Sequence, residues 1–401
     1  MEWMSDMRGV PQVMGFSMNF VTGSGTLAPA RSKEIRLTTS AHLVVALSEE
    51  KDLAHFYPGL QLVVLENLEQ LDPYHELAIS SLLRVIRTQP TRVVGFSASL
   101  NDSGDLATWL DVAPSAFHSF RPSDREQSLN VSVNTFAIPH SAALLKAMVR
   151  PASTAIRLDP SIMFVPSRAQ CSSVALDLVL NRTLETSAQA GYLSPDVSTD
   201  FLQSYFHRLQ DPSLSNLLSN GVGIFHPGMH KEDRATILEL YTGGIIQVLV
   251  VAREACWTLP VRAAVVVVMG TQYVTIHNDG ARRQVRDYTL AELVHMQGRA
   301  VRHGAMGHFH LFCQAEDKDT YMRFLEGGLP LESQLLHSDQ LRQWYKHHRS
   351  RGHISSKHEG VQALSLTFLA QRIVSNPTYY DCKGTRDERL SRIIDELEES
   401  N

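Results

Sequence analysis

The residues best placed to do chemistry sit at the end of a short apolar run, Leu60-Gln61-Leu62-Val63-Val64-Leu65-Glu66-Asn67. A carboxylate at the carboxyl end of a parallel strand is where α/β proteins hold a metal-bound nucleotide, because ligands gather at that end of the sheet. The usual pair there is Asp-Glu, and here the first position is Leu65. Two readings stay open on these residues alone: an ordinary buried strand, or a nucleotide-hydrolysing core that has lost an acid. His226 and His230 have a metal-like spacing but no third ligand, so packing or capping accounts for them better. The loop Thr22-Gly23-Ser24-Gly25-Thr26 looks phosphate-like. It lacks the Gly-Lys-Ser/Thr ending whose lysine and hydroxyl meet phosphate and metal, and reads as a surface turn. Ser333 to Arg351 interleaves Arg342, Trp344, Tyr345, Lys346, His347, His348, Arg349 and Arg351. Such a stretch either contacts phosphates or forms a solvated helix face.

The elements that must carry these residues alternate between strand and helix. Strands are expected over Phe16 to Val21, Ile35 to Thr39, Leu60 to Leu65 and Arg92 to Phe96. Helices are expected over Ala41 to Leu47, His75 to Arg87 and Leu106 to Leu110. That alternation predicts a parallel sheet with crossover helices. After Leu129 to Ile138 (strand) and Ala142 to Arg157 (helix), a second unit follows from Ser161. Its strands are Ile162 to Val165, Gly223 to Phe225, Gln247 to Val251, Ala264 to Met269 and His308 to Phe312. Helices lie near Ala169–Leu180, Phe201–Leu209, Lys231–Tyr241 and Leu290–Arg299. Val265 to Val268 is apolar at every position, as in a strand buried on both faces. Asn278-Asp279-Gly280, between two extended segments, predicts a hairpin. Beyond Gly328 the pattern turns helical, with one amphipathic helix over Val361 to Ile373 and a last one over Arg389 to Leu397.

The bulk numbers narrow the class. At 401 residues the chain has room for two or three domains. A net charge of −5 gives no global nucleic-acid footprint, so such contacts would come from local patches. Cys171, Cys256, Cys313 and Cys382 lie far apart and read as reduced thiols of an intracellular protein. No basic segment leads into an apolar one at the N-terminus. The longest apolar run, Ala263 to Met269, is far short of the roughly twenty residues that span a bilayer.

Five segments, taken in order, resemble the motifs of a DExH-box RNA helicase. Ser97-Ala98-Ser99 resembles motif III, and Phe164-Val165-Pro166-Ser167-Arg168 resembles motif IV. Gln247 to Pro260 resembles motif V. Gly298-Arg299-Ala300-Val301-Arg302 resembles motif VI. Gly223 to Met229, followed by Arg234, matches a strand-to-helix passage of the same family. Met269-Gly270-Thr271-Gln272-Tyr273 and Asn376-Pro377-Thr378-Tyr379-Tyr380 are similar to the two-cassette spliceosomal members, and more so to their second, C-terminal cassette. The related two-cassette helicase of the signal cointegrator complex is a possible confusion. The likeness runs from about Phe20 to the end.

The resemblance implies an α/β fold of tandem RecA-like domains, the first incomplete, followed by a winged-helix or helical domain. It places the remainder of the first RecA-like domain in residues 1–120, the second with its linker in 121–330 and a partial winged helix in 331–401. The Walker A strand and loop of the family are not in the chain, nor are its Sec63-like C-terminal parts, so the chain reads as a fragment or a truncated gene model. Without the Walker A strand the first sheet would expose an unpaired edge.

The resemblance also assigns positions. Leu65-Glu66 stands where the family carries Asp-Glu, and Leu65 cannot hold a metal's water shell. The implied ATP cleft would hold Leu65, Glu66, Ser97, Ser99, Thr258, Arg299 and Arg302, all vestigial. Thr258 replaces a Gly, and Arg253-Glu254-Ala255 replaces small hydroxylic residues, which would crowd nucleotide and backbone. Arg299 and Arg302 keep the positions that supply transition-state charge, while His295 and Val301 replace the usual Gln and Gly. The nucleic-acid path would run past Thr39, Ser167, Arg168 and the Asn278, Asp279, Gly280 hairpin. The expectation is a degenerate, ATPase-inactive helicase cassette. It would act as a regulatory and protein-interaction module in pre-mRNA splicing, in the nucleus. ATP and Mg²⁺ serve active members of the family, and no cofactor or metal is required here. Partners would be splicing proteins and the N-terminal cassette, with RNA possible and no membrane. The alternatives are an active ATP-dependent RNA helicase whose Walker A region is missing from this chain, and a nucleotide-binding, non-hydrolysing module.

Overall fold

The structure, a computed structural model, describes residues 14–21, 33–49, 60–86, 90–124, 128–139, 141–156, 159–185, 191–197, 199–276, 283–300 and 306–399. The chain divides into two compact units. One comprises Met1–Arg121 with Gly327–Asn401, the other Pro122–Glu326.

Unit one opens with the parallel pair β1 (Ser17–Val21) and β2 (Glu34–Thr38), then helix α1 (Ser40–Glu49). A second parallel pair, β3 (Leu62–Leu65) and β4 (Arg92–Gly95), is joined by helix α2 (Pro73–Ile86) and followed by α3 (Ser103–Trp109). The two pairs are separate sheets. One face of β3 is left open, with Leu62 and Val64 about half exposed, although parallel strands are normally covered on both faces.

Unit two holds a six-stranded, all-parallel sheet in the order β5-β12-β9-β6-β8-β7. Its strands and helices alternate along the chain: β5 (Leu129–Phe136), α4 (Ala142–Ile156), β6 (Ser161–Val165), α5 (Arg168–Glu185), α6 (Thr199–Phe206), α7 (Leu214–Ser219), β7 (Val222–Phe225), α8 (Lys231–Thr242), β8 (Val248–Ala252) and β9 (Val265–Met269). The antiparallel hairpin strands β10 (Gln272–Ile276) and β11 (Arg283–Asp287) form their own sheet before α9 (Leu290–Gln297), β12 (Gly307–Gln314) and α10 (Lys318–Gly327). β6, β8 and β9 are buried at every residue. Their β-branched and apolar side chains suit a strand covered on both faces. The expectation drawn from Val265 to Val268 therefore holds.

The rest of unit one is helical: α11 (Asp339–Ser350), α12 (Lys357–Ser365), α13 (Phe368–Ser375) and α14 (Arg386–Glu399). The single helix expected over Val361 to Ile373 is in fact two. Thr367 sits in extended backbone, and its hydroxyl accepts the Ala370 N–H, so a new helix starts there. Both halves are amphipathic, which is why periodicity alone joined them. The C-terminal helices share one apolar core with the first segment of the unit: Val44 of α1 and Leu77 of α2 pack with Leu341, Tyr345, Leu369 and Ile394.

Candidate functional site

In unit one the strand β3 delivers Leu65, 7% exposed, to the sheet's carboxyl end, paired in register with Gly95. A Cβ on Gly95 would stand 2.8 Å from the Leu68 side chain, so glycine is what lets Leu68 close over the strand ends. Asn67 takes a left-handed conformation, φ 55°, to make the turn, as Asn tolerates better than most residues. Glu66 between them is exposed and makes no hydrogen bond or ion pair among the described residues. Leu65 offers no donor atom, so the strand end does not fit a magnesium-bound nucleotide.

The motif III loop is held from behind. The buried Glu69 carboxylate accepts the Ala98 N–H at 3.0 Å and the Ser97 hydroxyl at 3.4 Å. The Ser99 carbonyl accepts the Leu329 N–H at 2.8 Å, and the Asn101 N–H donates to the Leu329 carbonyl at 2.9 Å. Ser97 and Ser99 are thus tied to Glu69 and to the strap leading into the C-terminal helices. Thr39 caps α1, its hydroxyl accepting the His42 N–H at 3.4 Å. The basic stretch on α11 is largely paired. Arg342 meets Asp339, Arg349 meets Glu398, and Arg351 and His347 meet Glu49. His348 is buried, which pushes its pKa down to about 4.

In unit two Ser167 donates to the Gln170 side chain at 2.9 Å, and Arg168 is ion-paired with Glu254. The motif V residue Glu254 therefore neutralises the motif IV arginine. Gly228 leaves room for this arginine, since a Cβ there would meet its guanidinium at 2.9 Å. His226 has its pKa lowered, first by burial and then by Arg168. Among the described residues no three His, Cys, Asp or Glu side chains form a group able to hold a metal.

Arg253, in the motif V segment, is engaged by the hairpin and the helix after it. Its guanidinium is ion-paired with Glu292 and lies 3.7 Å from the Tyr273 ring centroid and 5.7 Å from that of Tyr288. Glu292 also closes a capping box with Thr289 at the start of α9. One arginine thus fastens the hairpin root to the motif VI helix. Thr258 ends the turn at φ −108°, a backbone that does not require the family's glycine. Arg299 is partly buried, and burial, then Arg262, lowers its pKa. Its guanidinium reaches the Cys256 carbonyl at 3.5 Å. Arg302 and the Asn278, Asp279 and Gly280 turn lie outside the described residues. The strands on either side of that turn pair from Gln272↔Asp287 to Ile276↔Arg283.

Two buried knots in unit one were not singled out from the sequence. In the first, Glu76 on α2, 0% exposed, accepts the Leu369 N–H at the start of α13 and the Ser333 hydroxyl, each at 2.7 Å. In the second, Arg372 on α13 binds Asp105 of α3 and the Glu332 carboxylate, which also accepts from Asn376 and Tyr380, each at 2.8 Å. Trp109 adds a hydrogen bond to the Leu366 carbonyl at 2.8 Å. The only sequence signals were an acid, an arginine and a tryptophan inside apolar patterns.

Comparison with known proteins gives this arrangement its relatives. Residues 332–401 match a family model described as a winged helix-turn-helix domain, so the C-terminal helices are a winged-helix domain behind a mixed α/β region. Over 387 residues, 92% of the chain, the sequence is 30% identical to the human U5 small nuclear ribonucleoprotein 200 kDa helicase, of which that stretch is 18%. It is 31% identical over 89% of its length to the DExH-box ATP-dependent RNA helicase DExH14 of Arabidopsis thaliana, covering 17% of it. It is also 31% identical over 78% of its length to activating signal cointegrator 1 complex subunit 3 of Gallus gallus, covering 14%. The chain thus spans less than a fifth of the length of these relatives.

Proposed function

We propose that this chain, a relative of the DExH-box RNA helicases along most of its length and through its winged-helix domain, is a helicase cassette that no longer hydrolyses ATP. In this reading it works as a regulatory and protein-interaction module. Residues 1–120 would be what remains of a first RecA-like domain, 121–330 the second, and 331–401 the winged helix. The observation that carries the reading is Leu65, an apolar buried side chain where a metal-binding acid would stand, beside a Glu66 with no partner among the described residues. Phosphoryl transfer needs a metal to neutralise the developing charge, and Leu65 removes its anchor. The pairing of Arg168 with Glu254 supports the same reading, because it lowers the positive charge available to an RNA backbone.

The human relative is named for the U5 small nuclear ribonucleoprotein. Carried to this chain, that name supports a place in pre-mRNA splicing, in the nucleus, beside an active cassette and other splicing proteins. The test is RNA-stimulated ATP turnover by the protein extended upstream to include the family's Walker A segment, and by the same protein carrying Glu66→Gln. Absence of turnover in both is expected. RNA-stimulated turnover that Glu66→Gln abolishes would sink the reading in favour of an active helicase. A second reading, nucleotide binding without hydrolysis, is favoured by Arg299, which meets no carboxylate among the described residues and is free to meet a phosphate. Calorimetric titration with ATP and Mg²⁺ tests it, and no heat would dismiss it.

A further inference from the structure

Glu76 is a fully buried carboxylate whose two acceptor oxygens serve two separate pieces of the C-terminal region. One oxygen takes the first-turn N–H of Leu369, where the α13 dipole favours negative charge. The other takes the hydroxyl of Ser333, whose oxygen in turn accepts the Leu335 N–H at 3.3 Å and whose own N–H donates to the Tyr380 hydroxyl at 2.9 Å. Glu76 thus ties the strand–helix segment to both the entry strap and α13 of the winged helix. No cation meets it. The titratable and charged groups near it include His75 on its own helix, Glu332 beside Ser333, Arg372 on α13 and Tyr380, whose phenol feels its charge. Arg372 is committed to Asp105 and Glu332. Burial, against the opposing pull of Asp72 and Glu69, lowers the pKa of His75, so it supplies no positive charge near neutrality, and the Tyr380 phenol, its pKa raised by burial and then by Glu332, stays neutral there.

We propose that Glu76 is a proton-sensitive latch, fastening the winged-helix domain to the first strand–helix segment of unit one and holding it more firmly when its carboxyl is protonated. A buried carboxylate without a cation is disfavoured as a charge, while the neutral acid keeps an acceptor for Leu369 and can donate to the Ser333 oxygen. Consistently, burial raises the carboxyl from 4.5 to about 7, outweighing the hydrogen bonds from Ser333, Leu369 and Phe368 that pull it down. Because the folded value is the higher one, the latch's contribution is complete below 4.5 and lost as pH rises through about 7. The latch does not depend on whether the chain hydrolyses ATP.

The test is hydrogen exchange on the 401-residue chain, corrected for intrinsic exchange, read at Leu335 and Leu369. Protection relative to Glu76→Gln should fall by up to about tenfold per pH unit between about pH 5 and 7, then level off. Ser333→Ala, which removes a donor to the charged form, should carry the fall to higher pH. An unchanged slope in Glu76→Gln, or no slope in the natural chain, overturns the proposal. Should Glu76→Gln not fold, infrared spectroscopy of the natural chain decides. A protonated-carboxyl band titrating near neutrality supports the latch, and its absence overturns it.

Discussion

Glu66 and Glu76 lie on consecutive elements of the same unit and have opposite surroundings. Glu66, at the end of β3, is exposed and has no partner among the described residues, with Leu65 beside it where the family resemblance would place a second acid. Glu76, in the first turn of α2, is fully buried and accepts from two distant segments. Around Glu66 the loops are tied back by Glu69 and Leu329. Around Glu76 and Arg372 every strong donor has an acceptor. The difference teaches where charge holds this unit together: at the seam with the winged helix, where removing a charged group strands its partners, and not at the strand end, where Glu66 meets no partner among the described residues.

The largest effect should come from cutting the seam. Arg372→Met leaves Asp105 and Glu332 facing each other without their cation in a half-buried place. Breaking a buried pair from one side costs about 3–5 kcal/mol. Urea unfolding at neutral pH would measure it. A loss below about 1 kcal/mol would put this arginine with exposed surface pairs and would remove the contrast between seam and loop.

Next in size is Leu65→Asp, which restores the acid that the family resemblance asks for. Leu65 packs as a core residue at 7% exposure, so an aspartate there loses apolar burial and buries a charge with no cation. A stability loss of about 2–4 kcal/mol is expected, with no ATP turnover gained. A stable variant that hydrolyses ATP would show that the strand end kept its chemistry and lacked only one residue.

The contrast also explains how much the sequence could reveal. The strands of unit two were legible because their signal is local: four successive valines in β9 can only be a strand covered on both faces. The strand-end leucine was legible because its neighbours in sequence are its neighbours in space. The seam was not. Glu76 meets Leu369, and Asp105 meets Arg372, across most of the chain, and nothing local marks either acid as buried. The partner of Arg253 was hidden for a related reason: Glu292 appears only one hairpin later. The split between α12 and α13 was invisible because the apolar period continues across Thr367, while the break turns a helix N-terminus toward Glu76.

Trp109→Phe is a finer cut through the seam. The ring contact with Phe368, with centroids 5.4 Å apart, can persist, but the indole N–H that serves the Leu366 carbonyl is lost. Leaving that acceptor at the end of α12 without its partner should cost about 1–2 kcal/mol. Thermal unfolding of the variant beside the natural chain measures it. Trp109→His, able to present a ring N–H, should recover part of the loss if the hydrogen bond is the cause.

The smallest effect should come from the residue that looks most catalytic. Glu66→Gln removes a charge that contacts nothing among the described residues, so stability should change by no more than about 0.5 kcal/mol. Glu76→Gln, measured beside it, is the counterpart, since that side chain accepts from both Ser333 and Leu369. The paired measurement sharpens the contrast, because the same substitution is made at two glutamates of one unit and only the surroundings differ. A large stability loss at Glu66 would mean that the strand-end carboxylate has a partner after all. The inactive reading, which rests on Leu65 having left Glu66 alone, would then lose its footing.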